Sequence, residues 1–182
     1  MLRLDLNLFC FSKVTREQLV RNVIRALRKL ENLNMRPDIE TKFHYTVCEQ
    51  FLLTIYYAGI HNVHYTDAEK LEIGPLFHRI RGYISFLVGS CEYGFYTTAI
   101  TYSKLERSGL EFLMNDYSDF PAEKEGTKTL KEDFEEIKEF DDVEGWDILF
   151  KEYTPDDCYF PESAPPDPRV PRSHFWWFTD LD

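Results

Sequence analysis

The chain has no long apolar run. Its best stretch, Phe51 to Ile60, contains Thr54 and falls well short of the roughly 18 residues a membrane span needs. With a mean hydropathy of −0.41, the sequence gives no reason to expect a membrane protein. No secretory leader is expected either, because Arg3 and Asp5 interrupt what would have to be an apolar h-region. Cysteine is sparse: Cys10, Cys48, Cys91 and Cys158 stand far apart and form no CxxC pair. That spacing suits buried free thiols in a reducing compartment better than a disulfide framework, so a cytoplasmic protein is expected. There is no N-x-[ST] glycosylation site.

Phosphate-binding and catalytic signatures are missing too. Gly89 and Gly94 have P-loop spacing, but Phe95 and Tyr96 stand where Lys and Ser or Thr are required. Neither G-x-G-x-x-G, G-x-S-x-G nor H-E-x-x-H occurs. In the acidic run Asp141 to Gly145, a calcium loop with Gly145 at position 6 would put Phe140 at position 1 and Lys151 at position 12. Neither residue can ligate calcium as that loop demands.

What the chain does have is aromatic content and an uneven charge. Its 182 residues are 16% aromatic, enough to exclude a wholly disordered chain and to build a core without a structural metal. Lys and Arg minus Asp and Glu give +3 for residues 1–110 and −14 for residues 111–182, which sum to the net −11. An acidic balance argues against nucleic acid and against anionic membrane surfaces, since both need clustered cations. It can steer a basic protein partner instead.

Periodicity suggests the elements. Residues 2–11 alternate as a strand with one buried face. Thr15 and Gln18 form a capping box before a helix whose apolar stripe is Val20, Val23, Ile24, Leu27 and Leu30 and which ends near Asn32 to Asn34. Over residues 39–58 the step Phe43, Val47, Phe51, Ile55 reads as helix despite strand-like composition, with Gly59 as its C′ residue. Thr66 and Glu69 cap a short helix expected to break at Gly74-Pro75, and Pro75 opens another running to Gly89. Residues 91–103 read as a strand, with a helix from about Tyr96 as the competing reading. Thr129 and Glu132 are expected to cap a helix to about Phe140, Trp146 to Tyr153 could be a strand, residues 161–172 are expected to be extended, and His174 to Thr179 is strand-like in composition.

The expected fold is therefore α+β: a helix-rich N-terminal two-thirds, a small mixed sheet, and an acidic C-terminal arm with Pro and Trp folding back. Residues 1–120 would form the core, with 121–182 packed on the same domain.

Three constellations could carry function. Glu132, Glu135, Glu136 and Glu139 share one helix face, and Asp141, Asp142, Glu144 and Asp147 extend its negative field. Like charges four apart cost about 0.2–0.5 kcal/mol per pair in an isolated helix. The face is either a solvated surface or a patch complementary to a basic partner. His44, Cys48, His61 and His64 offer zinc-type donors, although H-x3-C…H-x2-H is not a common ligand spacing. His78, Cys91 and Glu92 could in principle form a nucleophile–base–orienter set, but nothing in their spacing requires it.

The leading functional expectation is a non-catalytic acidic binding protein, of inhibitor or immunity type, that occludes a basic partner such as a nuclease toxin and needs no cofactor. The alternatives are a small metal-assisted hydrolase built on the histidine–cysteine group, and an adaptor domain whose basic helix face, Arg21, Arg25 and Lys29, meets an acidic partner.

In a strand, Phe175 and Trp177 face one way while Trp176 and Phe178 face the other, so the segment is either buried on both sides or presents an aromatic anchor. Thermal or chemical denaturation separates the two. Trp176→Ala or Trp177→Ala loses about 3–5 kcal/mol if the cluster is core, and melts like the parent if it is an interface.

Overall fold

Two helices open by the same local device. In the computed structural model, which describes residues 14–33, 42–83, 87, 100–124, 128–135, 169–171 and 173–174, α1 spans Arg16–Glu31 with Thr15 as N-cap. The Thr15 hydroxyl accepts from the Gln18 amide while the Gln18 side chain accepts from the Thr15 amide at 2.9 Å. Helix α3, Asp67–Arg79, repeats this with Thr66 and Glu69. Each reciprocal pair satisfies two amides that a helix start leaves without partners.

Between them lies α2, Lys42–Ile60, and helix α4 follows at Ile100–Asp116. A short 3-10 turn, η1, occupies Arg81–Tyr83. Residues 131–135 form the start of a further helix, α5. No helix among the described residues is long and apolar enough to cross a membrane.

The α2 sequence is apolar nearly all round, which fits a central helix rather than a surface one. Val47, Cys48, Phe51, Leu52, Leu53, Ile55, Tyr56, Ala58 and Ile60 are all buried. Helix α4 packs along α2, with α1 also against it, and α1 in turn meets α3. The expected α1 stripe holds: Val20, Val23, Leu27 and Leu30 are buried and Ile24 is partly so. Phe120, Ala122, Leu130, Phe134 and Val170 join the same core, so the described parts of residues 121–182 pack against it.

Small residues set the closest approaches. A Cβ on Gly109 of α4 would collide with the backbone carbonyl of Leu52 in α2, and one on Gly59 of α2 would overlap the Phe112 ring of α4. Gly59 is therefore a packing residue inside α2, not its C′ residue. That place belongs to Asn62, whose φ of 48° is left-handed. The Asn62 amide donates to Gly59 O at 2.8 Å and the Val63 amide to Ala58 O at 3.2 Å, the paired bonds of a Schellman ending.

The α+β expectation is overturned. The described residues are 71% helical and 2% strand, and they form no sheet. Their one strand-like feature is an isolated antiparallel bridge between Pro121 and Thr129, backed by Ala122 N–H to Lys128 O at 2.7 Å and Leu130 N–H to Phe120 O at 2.9 Å. Residues 100–103, expected in a strand, belong to α4: β-branched and aromatic composition reports fit to a half-buried surface more than a backbone preference. The strands expected at 2–11 and 146–153, the rest of 91–103, most of the extended segment and the residues after 174 lie outside the described residues.

The break at Gly74-Pro75 is also overturned. Helix α3 runs straight past both residues, with Ile73, Gly74, Pro75, Leu76 and Phe77 all buried. A mid-helix proline costs about 3 kcal/mol or more. Burying Ile73, Leu76 and Phe77 returns about 5–9 kcal/mol, so packing decides against local preference. Gly74 contributes too, since a Cβ there would strike the carbonyl of Pro121.

Gly109→Ala tests the α2–α4 seam. It inserts a methyl where the Leu52 carbonyl sits, and overpacking of this kind costs about 1–3 kcal/mol. Denaturant titration should show that loss. Gly82→Ala is the matched control, because nothing lies within 4 Å of its Cβ direction, and it should be close to neutral.

Candidate functional site

Helix α5 carries the described part of the acidic face. Leu130 and Phe134 anchor it in the core, which turns Glu132 and Glu135 outward; both are exposed and neither has an ion pair among the described residues. Glu136, Glu139, Asp141, Asp142, Glu144 and Asp147 lie outside the described residues, as do Trp176 and Trp177.

Between those two glutamates, Asp133 points the other way. Its side chain is only 16% exposed, and Oδ2 accepts from His78 Nδ1 at 2.7 Å. Arg81 Nη1 lies 2.6 Å from Nε2 and 3.4 Å from Nδ1 of the same ring, so the guanidinium sits against the ring face. The three residues come from α5, the C-terminal turn of α3 and η1. Asp133 and Arg81 also line a small cleft with Phe77, Ile80, Leu87, Leu113 and Phe134, with room for about one water molecule and none for a substrate. His78 pairs with Asp133; Cys91 and Glu92, the partners suggested for it by the sequence, lie outside the described residues.

The zinc constellation does not converge. Cys48 and His61 are thirteen residues apart along α2 and its end, about 20 Å at the helical rise, so no single ion reaches both. His44 lies farther still toward the start of that helix. Cys48 is fully buried, and burial with the nearby Glu106 charge pushes its thiol up to about 12, whereas a metal ligand must be a thiolate. His61 Nδ1 donates to Tyr57 O at 2.8 Å, and His64 is exposed, its carbonyl accepting from Arg16 Nε at 2.8 Å. Among the described residues no three His, Cys, Asp or Glu side chains group as metal ligands.

The basic face of α1 is largely committed to its neighbours. Arg16 pairs with Glu69, Arg28 with Glu72 at 2.9 Å, and Lys29 with Gln50 at 2.7 Å; in return Arg79 of α3 pairs with Glu31. The Arg16 guanidinium beside it, together with bonds from Thr66, holds the Glu69 carboxyl below the usual carboxylate range. Arg21 and Arg25, one turn apart, are exposed with no ion pair among the described residues.

Ionisable groups the sequence did not mark line α4. Lys104, Glu106 and Arg107 are buried, and Arg107 Nη1 donates to Glu111 Oε2 at 3.1 Å. His174 folds back onto this face, its ring 4.8 Å from that of Phe112 and its amide donating to Pro171 O at 3.0 Å. Burial pulls its imidazole down to about 4; Glu111 resists that shift and Arg107 adds to it. Asp133 and Arg81 were missed as well. The available signal was position: Asp133 is three residues after Leu130 and one before Phe134, on the edge of the inward stripe and off the Glu132 and Glu135 side.

His174 generates a pH prediction. Its folded value lies below the ordinary 6.5, so the unfolded chain binds its proton first as pH falls. Stability is unaffected above about pH 7 and is lost between about 6.5 and 4, by up to about 3 kcal/mol. Denaturant titrations across that window should show the loss in the parent and a flatter profile in His174→Gln. Raised carboxylates at Glu49 and Asp116 act in the opposite sense in both proteins, so the difference between profiles isolates His174.

Comparison with known proteins gives no further guidance: no protein family, no curated protein and no solved structure matches this chain.

Proposed function

We propose that this chain is a non-catalytic binding protein that presents an acidic helix face to a basic protein partner and blocks it by occlusion, a nuclease toxin being the partner class that fits best. The observation that carries the reading is the pose of α5. Leu130, Phe134 and Asp133 hold its inner side, while Glu132 and Glu135 stand exposed without ion pairs among the described residues. Carboxylates held outward and outside any ion pair among the described residues keep a negative field for an incoming partner, which Lys128 and Lys131 offset only in part. A basic nuclease binds polyanions, so a carboxylate face can occupy its phosphate surface.

A second reading, an adaptor, has its own observation. The α1 cations divide into those held by other helices and the exposed pair Arg21 and Arg25, which could meet an acidic segment of a partner. The metal-assisted hydrolase draws no support from α2, along which Cys48 and His61 stand about 20 Å apart.

Replacing Glu132, Glu135, Glu136 and Glu139 with Gln tests the leading reading. Gln keeps helix propensity close to Glu, so stability should stay within about 1 kcal/mol of the parent. Stopped-flow association with a basic nuclease partner at two ionic strengths should show slower association and a flatter salt dependence. Unchanged association at both salts rejects the acidic face as the docking surface. Arg21→Glu with Arg25→Glu gives the converse test for the adaptor.

A further inference from the structure

We propose that the turn at residues 169–171 and 173–174 is a displaceable strap on α4, held by two inward anchors, Val170 and His174, and released by acid while the helical body stays folded.

The two anchors stand four residues apart and are both buried, while Arg169 and Ser173, each one position before an anchor, are exposed. The His174 amide closes the turn by donating to Pro171 O at 3.0 Å. Val170 enters the apolar core, and nothing in its side chain responds to pH. The His174 ring lies 4.8 Å from that of Phe112, edge to face. Phe112 also meets Tyr56 and Gly59 of α2, neither of which carries a charge in acid.

The side of α4 that acts on His174 is polar. Lys104, Arg107, Ser108 and Glu111 follow the i, i+3, i+4, i+7 spacing of one helix face, opposite the buried Leu110, Leu113 and Tyr117. A face of this composition normally meets water, yet Lys104, Arg107 and Ser108 are buried. Such contacts contribute less than the apolar seam between α2 and α4, so opening costs least here.

A proton on His174 works against this surface. Burial opposes a charged imidazole, and the Arg107 guanidinium adds a like charge. Glu111 acts the other way, but its two oxygens already accept from Arg107 Nη1 at 3.1 Å and from Asn115 Nδ2 at 2.9 Å. Of the other charged groups on these two elements, Lys104 and Glu106 are buried in α4 and Arg169 of the turn is exposed. The ring therefore stays neutral in the closed state down to about pH 4, and once lifted it takes its proton near 6.5. Opening is then insensitive to pH above about 7. Between 6.5 and 4 the opening constant rises nearly tenfold per pH unit, about 300-fold in all.

The test is amide exchange followed by NMR on the full-length, ¹⁵N-labelled chain, with rates converted to protection factors. The His174 amide should be less protected than the Leu110 amide of α4 at every pH, and its protection should fall about 20-fold between pH 7 and 5. His174→Gln should keep the lower protection and lose the pH dependence. Val170→Ala leaves the ring in place and serves if the first variant folds poorly. It should lower the protection of the His174 amide by one factor at every pH and preserve the slope. Equal protection of the His174 and Leu110 amides means that the turn opens only with the whole fold. A His174 protection factor that stays constant from pH 7 to 5 means that acid does not release it. Either result overturns the proposal.

Discussion

The contact between α2 and α4 is the constraint on which the rest is arranged. Gly109 lets the α4 backbone approach the Leu52 carbonyl, and Gly59 admits the Phe112 ring from the other direction. Interlocked small and large residues of this kind define one register between two helices, because sliding either one brings a side chain where only hydrogen fits. Helix α2 is then covered along its length and can be apolar on all sides. Helices α1 and α3 complete the cover, and α5 and the turn around Val170 dock on what remains.

Charge is organised differently from the core. The cross-helix pairs from α1 to α3 are mostly solvent-exposed, and such pairs contribute little each, about 0–1 kcal/mol. Their number along one seam still orients α1 on α3, since Arg16 bonds both the carbonyl of His64 and the carboxylate that caps α3. Most cations of α1 and α3 are thereby engaged within the helical body, while Glu132 and Glu135 of α5 are turned to solvent. The unequal charge of the two parts of the chain and the outward pose of Glu132 and Glu135 support one account, in which the body supplies a stable platform and the C-terminal part the recognition surface.

Local signals were legible from the residues alone. Two of the three expected caps appear where Thr15, Gln18, Thr66 and Glu69 place them, because a cap depends on four neighbouring residues; at the third, Thr129 is drawn into the bridge with Pro121 and α5 starts at Lys131. The α1 stripe and the four-residue step of α2 were legible for the same reason. Features decided by distant atoms were not. Gly74-Pro75 reads as a break until Pro121 is known to lie against it, and Ile100, Thr101 and Tyr102 read as strand although they open α4. The zinc reading took closeness in sequence for closeness in space, when a continuous helix separates Cys48 from His61. The outward direction of Glu132 and Glu135 followed from Leu130 and Phe134, but the role of Asp133 needed His78, 55 residues earlier in the chain.

Beneath α3 the rings of Phe77, Tyr117, Phe120 and Tyr65 pack in edge-to-face and tilted pairs, and the two tyrosine hydroxyls hydrogen-bond to each other. Burial pushes Tyr65 up to about 12 and Tyr117 well above the ordinary phenol value. The two phenols thus stay protonated in the fold at a pH where the unfolded chain would already have given up those protons. Alkali is then a denaturant with a defined point of attack: above about pH 10 each lost proton favours the open chain, and phenolate absorbance from this pair should rise together with loss of structure rather than ahead of it.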